Sequence, residues 1–231
     1  MWRGGSTGVN PAVDLVGRYI STTVLTSGTS FTTGANTTKI RVRVQAGGGA
    51  GGGGASAAVS AAAGGGGSAG GYAEKTFTVT VSTAYTYAIG AAGAAGAAGN
   101  NAGGAGGDST FAVGATTVTA KGGLGGNGMA ATTTIVSVLG GASPAISTNG
   151  DWNMGGEPGD EGIAFTGLLG NSGKGGTSLF GAAGNGVITQ STGVAGVGYG
   201  AGGSGGLTLN GGAATAGGAG LAGIIVVEEF S

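Results

Sequence analysis

The residues of this chain that could carry acid–base or metal chemistry are concentrated in one acidic stretch. Four of the nine carboxylates fall within it: Asp151, Glu157, Asp160 and Glu161. Clustered carboxylates are typical of calcium sites and of the paired acids of glycoside hydrolases. The stretch starts like a calcium-binding loop, but its twelfth position is Gly162, where that loop needs Glu. Aromatic residues that could hold a sugar are scarce. We expect a solvated turn, with calcium binding as the alternative.

Composition excludes other catalytic classes. The chain has no His and no Cys, so it cannot build a Ser-His-Asp or Cys-His device, and the usual zinc ligand sets are missing. Two Gly-x-Ser-x-Gly strings, at 66–70 and 202–206, match a nucleophile elbow, but such matches arise by chance in a glycine-rich chain. The net charge is −1 and the charges are scattered, which argues against a nucleic-acid partner. We predict a protein that is not an enzyme and uses no cofactor.

Glycine fills 62 of the 231 positions, and much of it recurs every third residue. Two such runs are Gly90, Gly93, Gly96, Gly99 and Gly167, Gly170, Gly173, Gly176. An extended polyproline II-type chain turns once in three residues, so this spacing gives it one bare face. Bare faces let neighbouring backbones approach and hydrogen-bond. Three prolines are too few for collagen. The spacing predicts polyglycine II-type rods joined by turns, with a disordered linker as the alternative.

Strand patterns flank the glycine runs. Residues 39–45 alternate strictly, which places Ile40, Val42 and Val44 inside and three basic side chains on a solvated face. A ligand-facing basic stripe is the alternative for that face. We expect the apolar stretch 224–227 to complete the same sheet. Further strands are predicted at 19–26, 72–81, 85–89 and 111–120, with 72–81 and 85–89 forming a hairpin around 82–84.

These patterns predict a mostly β fold: a small β-sandwich-like framework plus a glycine-rich, polyglycine II-type bundle with extended loops. Residues 1–18 are too few for a domain and are expected to act as a docking or tether segment. Residues 19–231 are expected to form one glycine-rich domain whose first and last strands pair.

Several segments together resemble the glycine-rich domain of bacteriophage tail-fibre and receptor-binding proteins. They are the glycine run 47–54, Gly-Gly-Tyr-Ala-Glu-Lys at 70–75, Tyr-Thr-Tyr-Ala-Ile-Gly at 85–90, the stretch 103–111 and the closing strand 220–230. The resemblance covers about residues 19–231 and extends to the polyglycine II tip adhesins of long tail fibres. It implies a compact β framework that carries glycine rods, loops that bear receptor specificity, and a place in the phage tail.

Loops on a rigid scaffold usually carry recognition, so receptor contacts are expected in the loops between rods. The candidate contact residues are Trp152, Met154, Phe165, Leu168, Leu169, Tyr199 and Leu207. We expect Phe111 and Phe180 to fill the interior instead. The implied partners are a bacterial surface receptor (a polysaccharide or an outer-membrane protein), other tail or baseplate proteins, and further copies of the chain, with a trimer favoured.

Two other functions fit the sequence. One is a structural virion component, such as a baseplate or decoration protein, that contacts only other phage proteins. The other is a Gly-x-x ice-binding protein, because residues 90–99 offer a flat alanine face.

Overall fold

The structure is a computed structural model that describes residues 17–231. The mostly β prediction is confirmed, because strands and extended segments make up this part of the chain and none of it is helical. It accordingly holds no helix that could cross a membrane. The predicted docking segment lies almost wholly outside the described residues. The strands are β1 (Tyr19–Leu25), β2 (Ser30–Thr32), β3 (Lys39–Gln45), β4 (Ala62–Ala63), β5 (Tyr72–Thr78), β6 (Ala84–Ala88), β7 (Ser109–Val113), β8 (Thr116–Ala120), β9 (Val136–Val138), β10 (Trp152–Met154), β11 (Gly162–Thr166), β12 (Leu169–Asn171), β13 (Gly181–Ala182), β14 (Val197–Gly198), β15 (Leu207–Thr208) and β16 (Ile224–Phe230).

Two antiparallel sheets pack face to face and form the framework. One has the strand order β1-β16-β3-β5-β10 and the other β2-β6-β7-β8. As predicted from the alternation in β3, Ile40, Val42 and Val44 are buried between the sheets, where Phe111 of β7 meets them. The predicted pairing of the last strand with β3 is also confirmed, with Val227 opposite Val42. The strands that precede and follow the glycine segments in sequence, β3 and β16, are therefore neighbours in one sheet.

The predicted hairpin between 72–81 and 85–89 is wrong. β5 pairs with β3 and β10 in the first sheet, whereas β6 pairs with β2 and β7 in the second. Residues 79–83 cross from one sheet to the other. Phe77 therefore enters the shared core from the first sheet and Tyr87 from the second. The predicted strand 111–120 is instead the hairpin of β7 and β8, which turns at Gly114 with a φ of 58°.

A polyglycine II-type bundle continues from the end of β3. Every residue of 46–54 donates its backbone N–H to a carbonyl oxygen at 2.8–3.0 Å. Successive donors point in three directions that repeat every third residue, as a three-residue turn requires. The three segments that accept these bonds are 64–71, 101–107 and 215–221. The carbonyls of 46–54 accept N–H bonds from three more segments, which are 93–96, 123–129 and 203–206. Segment 46–54 is thus a central rod surrounded on all sides.

Glycine density follows the position of a rod in the bundle. The dense segments 46–54, 64–71 and 200–206 are buried at every residue. The segment 90–98, with glycine at every third position, is buried only at those glycines and exposes its alanines. A central rod has neighbours on all faces and excludes side chains, whereas an outer rod needs one bare face.

Two predicted rod positions differ in the structure. Gly167 and Gly170 lie in the hairpin of β11 and β12, and the rod of that run begins only near Gly173. The short stretch 162–171 pairs with itself, with Ile163 opposite Asn171 and Ala164 opposite Gly170. Gly99 ends its rod in a turn with a φ of 110°, a conformation that glycine adopts without strain.

The chain runs back and forth between the framework and the opposite end of the bundle, which we call the distal end. The nine residues of the central rod span roughly 28 Å at about 3.1 Å per residue. The loops at the distal end include 55–63, 129–138, 162–171 and 207–214, which we call the distal loops. Gly17 and Ser231 are hydrogen-bonded to each other at the far side of the framework. Both ends of the described chain therefore lie away from the distal loops.

Candidate functional site

The distal loops are tied to one another by backbone hydrogen bonds. Ala61 donates its N–H to the carbonyl of Thr132 at 2.9 Å, which joins the first two loops. Asn210 donates to the carbonyl of Gly167 at 2.6 Å and joins the last two. β9 and β11 pair along the same surface. The loops therefore form one continuous cap over the ends of the rods.

A small hydrophobic core lies beneath this cap. Its buried members are Ala61, Ala62, Ala63, Met129, Ala164 and Leu207. Leu207 is 0% exposed and cannot contact a receptor, so its prediction as a contact residue is wrong. β15 pairs with β4, which places Leu207 opposite Ala63, and its large side chain fills the space left by the alanines.

Six exposed apolar side chains form what we call the distal patch. They are Val59, Ile135, Val136, Phe165, Leu168 and Leu169. Ile135 is 74% and Leu169 62% exposed. The four distal loops contain no charged residue. The structure thus brings together three of the predicted contact residues, Phe165, Leu168 and Leu169, on a surface of the kind that marks interaction sites.

Sequence reasoning missed the other half of the distal patch. Ile135 and Val136 follow the run Thr132-Thr-Thr134, a β-branched stretch that could have indicated a strand. Val59 gave no such signal. It has a φ of 56°, a left-handed conformation that is strained for a β-branched residue. Strained residues cluster at functional sites, so the backbone conformation of Val59 supports a functional role for this loop, in addition to its exposure.

The other predicted contact residues lie at the framework. Trp152 and Met154 belong to β10 and stand opposite Glu74 and Tyr72 of β5. Trp152 is 69% exposed. Tyr199 donates its backbone N–H to the carbonyl of Phe180 at 3.1 Å, at the turn beside this edge. The length of the rods separates these residues from the distal patch, so the predicted contact residues do not form one site.

The two phenylalanines assigned to the interior also lie in the framework region. Phe111 is fully buried in the framework core, as predicted. Phe180 is half-buried against Tyr72, with a ring-centroid distance of 6.3 Å.

Residues 22–228 match the family model described as a glycine-rich domain. The chain belongs to this family. Curated proteins give no match to it. The match covers nearly all of the described chain and includes the framework, the rods and the distal loops.

The acidic stretch of the glycine-rich domain does not converge on one point. Asp151 accepts hydrogen bonds from Lys75 Nζ at 2.7 Å and from the Thr76 N–H at 3.0 Å, and these bonds lower its pKa. Glu157 instead accepts the N–H of Thr177 at 2.6 Å. Within residues 17–231 no three acidic side chains are placed to hold a metal ion. Asp151 and Glu157 thus hold neighbouring backbone at the framework, and the structure gives no support to calcium binding.

The basic residues of β3 are held by carboxylates of neighbouring strands. Arg41 and Arg43 both pair with Glu228 of β16, with 2.5 Å between Arg43 Nη2 and Glu228 Oε1. Burial would raise the pKa of Glu228, but the two guanidinium groups outweigh it and lower that pKa. Burial and a hydrogen bond to Glu74 raise the pKa of Tyr72 beside them. These two arginines therefore serve sheet pairing in the glycine-rich domain, and the ligand-facing stripe finds no support.

Proposed function

We propose that this protein is a receptor-binding component of a bacteriophage virion, a tail fibre or fibre-tip adhesin that attaches to the bacterial surface through the distal patch. The mechanism is binding without catalysis. Its location is the phage tail, and its partners are a surface receptor, either a polysaccharide or an outer-membrane protein, and other tail or baseplate proteins.

The distal patch is the observation that carries this proposal. Large apolar side chains exposed together on neighbouring loops mark interaction sites. Here the group stands on loops fixed to the end of a stiff bundle, where backbone hydrogen bonds hold every rod. Preorganised loops lose little conformational entropy on binding, so a small contact can retain useful affinity. Many copies on one particle would strengthen attachment further.

The position of the described termini supports the same orientation. Gly17 and Ser231 lie at the side of the framework remote from the distal patch. A protein held through that side would present the patch outward. The sequence resemblance to phage tail-fibre domains points in the same direction, since loops between glycine rods bear specificity in those proteins. We assign the exposed edge residues Trp152 and Met154 to contact with other virion proteins.

Binding to intact bacteria tests the proposal. Labelled, purified protein is titrated onto a panel of strains, together with the variants Leu169→Asp and Leu179→Asp. The two leucines are equally exposed, at 62%, but Leu179 lies at the framework end of the bundle. A buried carboxylate without a partner is costly, so we expect Leu169→Asp to weaken binding roughly tenfold or more. Leu179→Asp should bind like the unaltered protein.

Circular dichroism and thermal melting of both variants establish that they fold. If folded protein binds no strain of a broad panel, the receptor-binding function is wrong and a structural virion role takes its place. If Leu179→Asp weakens binding and Leu169→Asp does not, the protein is an adhesin but the distal patch is not its contact surface.

A further inference from the structure

The first strand of the framework leaves one long side without a partner. β1 stands at the edge of the five-stranded sheet and pairs with β16 on one side only. Within residues 17–231 no segment pairs with its other side. An unpaired strand edge presents a row of N–H and C=O groups that can bind another strand.

Most edges of this domain are protected, and β1 is not. The edge strand β8 is covered by Thr148, which exchanges backbone hydrogen bonds of 3.0 and 2.8 Å with Thr119. The edge strands β2 and β10 are three residues long. β1 has seven residues, Tyr-Ile-Ser-Thr-Thr-Val-Leu, with no charge, proline or glycine among them. A bulge against β16 falls between Tyr19 and Ser21, and the pairing from Ser21 to Leu25 is regular.

We propose that β1 pairs antiparallel with β1 of a second copy of this chain, so that the two five-stranded sheets join about a two-fold axis. Such an interface uses the same surface on both subunits and has to be self-complementary. With Thr22 opposite its own copy, the remaining pairs are Ser21 with Thr23, Ile20 with Val24, and Tyr19 with Leu25. Hydroxyl residues meet hydroxyl residues in the middle, and large apolar residues meet at both ends.

The exposed side chains fit the same arrangement. Ile20, Thr22 and Val24 are all exposed in the single chain. Val24 stands opposite Val226 of β16, which is already buried. Pairing would continue this apolar row across the axis, since Ile20 of the partner chain would stand opposite Val24. Pairs of hydroxyl and of β-branched residues directly across a sheet are stabilising, and no like charges oppose each other here.

This dimer differs from the trimer expected from the sequence and does not depend on what the distal patch binds. Leu25 is the end of β1 nearest to the bundle, because it pairs with Ile225 beside the start of the central rod. Antiparallel pairing therefore points the two bundles in opposite directions. We assign the dimer to the free protein in solution.

Cysteine cross-linking gives a direct test, because the chain has no cysteine of its own. Directly opposed residues of antiparallel strands have Cα atoms about 4.5–5.5 Å apart, within reach of a disulfide. We expect Thr22→Cys to form a cross-linked dimer on mild oxidation. The matched control is Thr117→Cys, an exposed threonine on the covered edge strand β8, which should stay monomeric on a denaturing gel.

Analytical ultracentrifugation supplies the second measurement. The full-length protein should show a monomer–dimer equilibrium, and Thr22→Lys should raise its dissociation constant roughly tenfold or more, because two lysines would face each other at the axis. The proposal is overturned by a protein that stays monomeric at millimolar concentration, or by a dimer that Thr22→Lys leaves unchanged. It is also overturned if the β1 amides that point away from β16 are protected from hydrogen exchange in a monomer, since another segment of the same chain then covers the edge.

Discussion

Glu229 joins three parts of the framework through one carboxylate, although it is only 7% exposed. Its Oε1 accepts the N–H of Gly34 and the hydroxyl of Thr37, both at 2.8 Å, and its Oε2 accepts the hydroxyl of Ser21 at 2.7 Å. Burial alone would raise the pKa of Glu229. The three hydrogen bonds outweigh burial and hold that pKa below its ordinary value of 4.5.

We expect Glu229→Gln to lower the free energy of unfolding by about 1–3 kcal/mol, because the neutral amide loses the charge that strengthens these hydrogen bonds and its nitrogen cannot accept the bond from Ser21. Urea unfolding at neutral pH measures this. Glu161→Gln, at an exposed position, serves as the control and should unfold like the unaltered protein. Equal stability of Glu229→Gln would contradict the role given to this carboxylate.

The same group makes the framework sensitive to acid. Since the pKa of Glu229 is lowered on folding, its stabilising contribution is complete above about pH 4.5 and is lost as the pH falls through the lower value of the folded state. Asp108 and Glu228 have lowered pKa values and act in the same direction. Thermal melting between pH 6 and pH 2 should therefore show a steep acid-side loss of stability that is smaller in Glu229→Gln. A melting temperature that stays constant down to pH 2 would rule this out.

At single residues the sequence could name apolar candidates but could not sort them. Leu169 and Leu207 are both leucines among glycines and small residues, yet one is exposed in the distal patch and the other fills a core. The difference comes from the pairing of β15 with β4, whose partners are distant in sequence. Neither alternation nor composition carries that information.

Among the elements, the rods were predictable because their signal is local. The three-residue glycine spacing fixes which face of a rod is bare, and the burial of 90–98 repeats it residue by residue. Which rods become neighbours could not be predicted, since backbone hydrogen bonds between glycines do not depend on side-chain identity. The wrong hairpin between β5 and β6 has a related cause. A short link between two strands predicts that they pair, but here the two strands belong to opposite sheets and each contributes residues to the core between them.

Close rod packing predicts that added side chains at the bare face are not tolerated. A Cβ at Gly93 would overlap the carbonyl oxygen of Gly104 and lie 2.8 Å from the Ala50 nitrogen, and one at Gly96 would lie 2.5 Å from the Asn101 oxygen. We expect Gly93→Val with Gly96→Val to lower the free energy of unfolding by about 3 kcal/mol or more, or to prevent folding, because backbone atoms would have to move.

The exposed Ala95 of the same rod provides the control. Ala95→Val should melt close to the unaltered protein, since its side chain points to solvent. If the double glycine variant melts normally, the rods do not pack as closely as the structure shows. If Ala95→Val is equally damaging, the defect arises from valine in an extended rod and not from contact between rods.

Across the described residues 17–231, charged side chains lie in the framework and along the sides of the bundle. Ion pairs such as Lys75 with Asp151 and Lys121 with Asp108 stand near the sheets, and the distal loops carry none. The resemblance to phage proteins implies loops that carry contacts, but only the folded chain separates uncharged distal loops from a charged framework. Residues distant in sequence, such as Val59 and Leu168, become neighbours there through the hydrogen-bonded loops.

This separation predicts how binding at the distal patch responds to salt. Ionic strength weakens association chiefly by screening charge pairs, and a contact made through uncharged loops has none to screen. We expect the dissociation constant for host cells to change less than about twofold between 0.05 and 0.5 M NaCl. Ile135→Lys, which adds one charge to the patch, should make binding depend on salt. Binding by the unaltered protein that weakens tenfold over this range would instead place the contact on the charged framework, where the arginines and Glu228 lie.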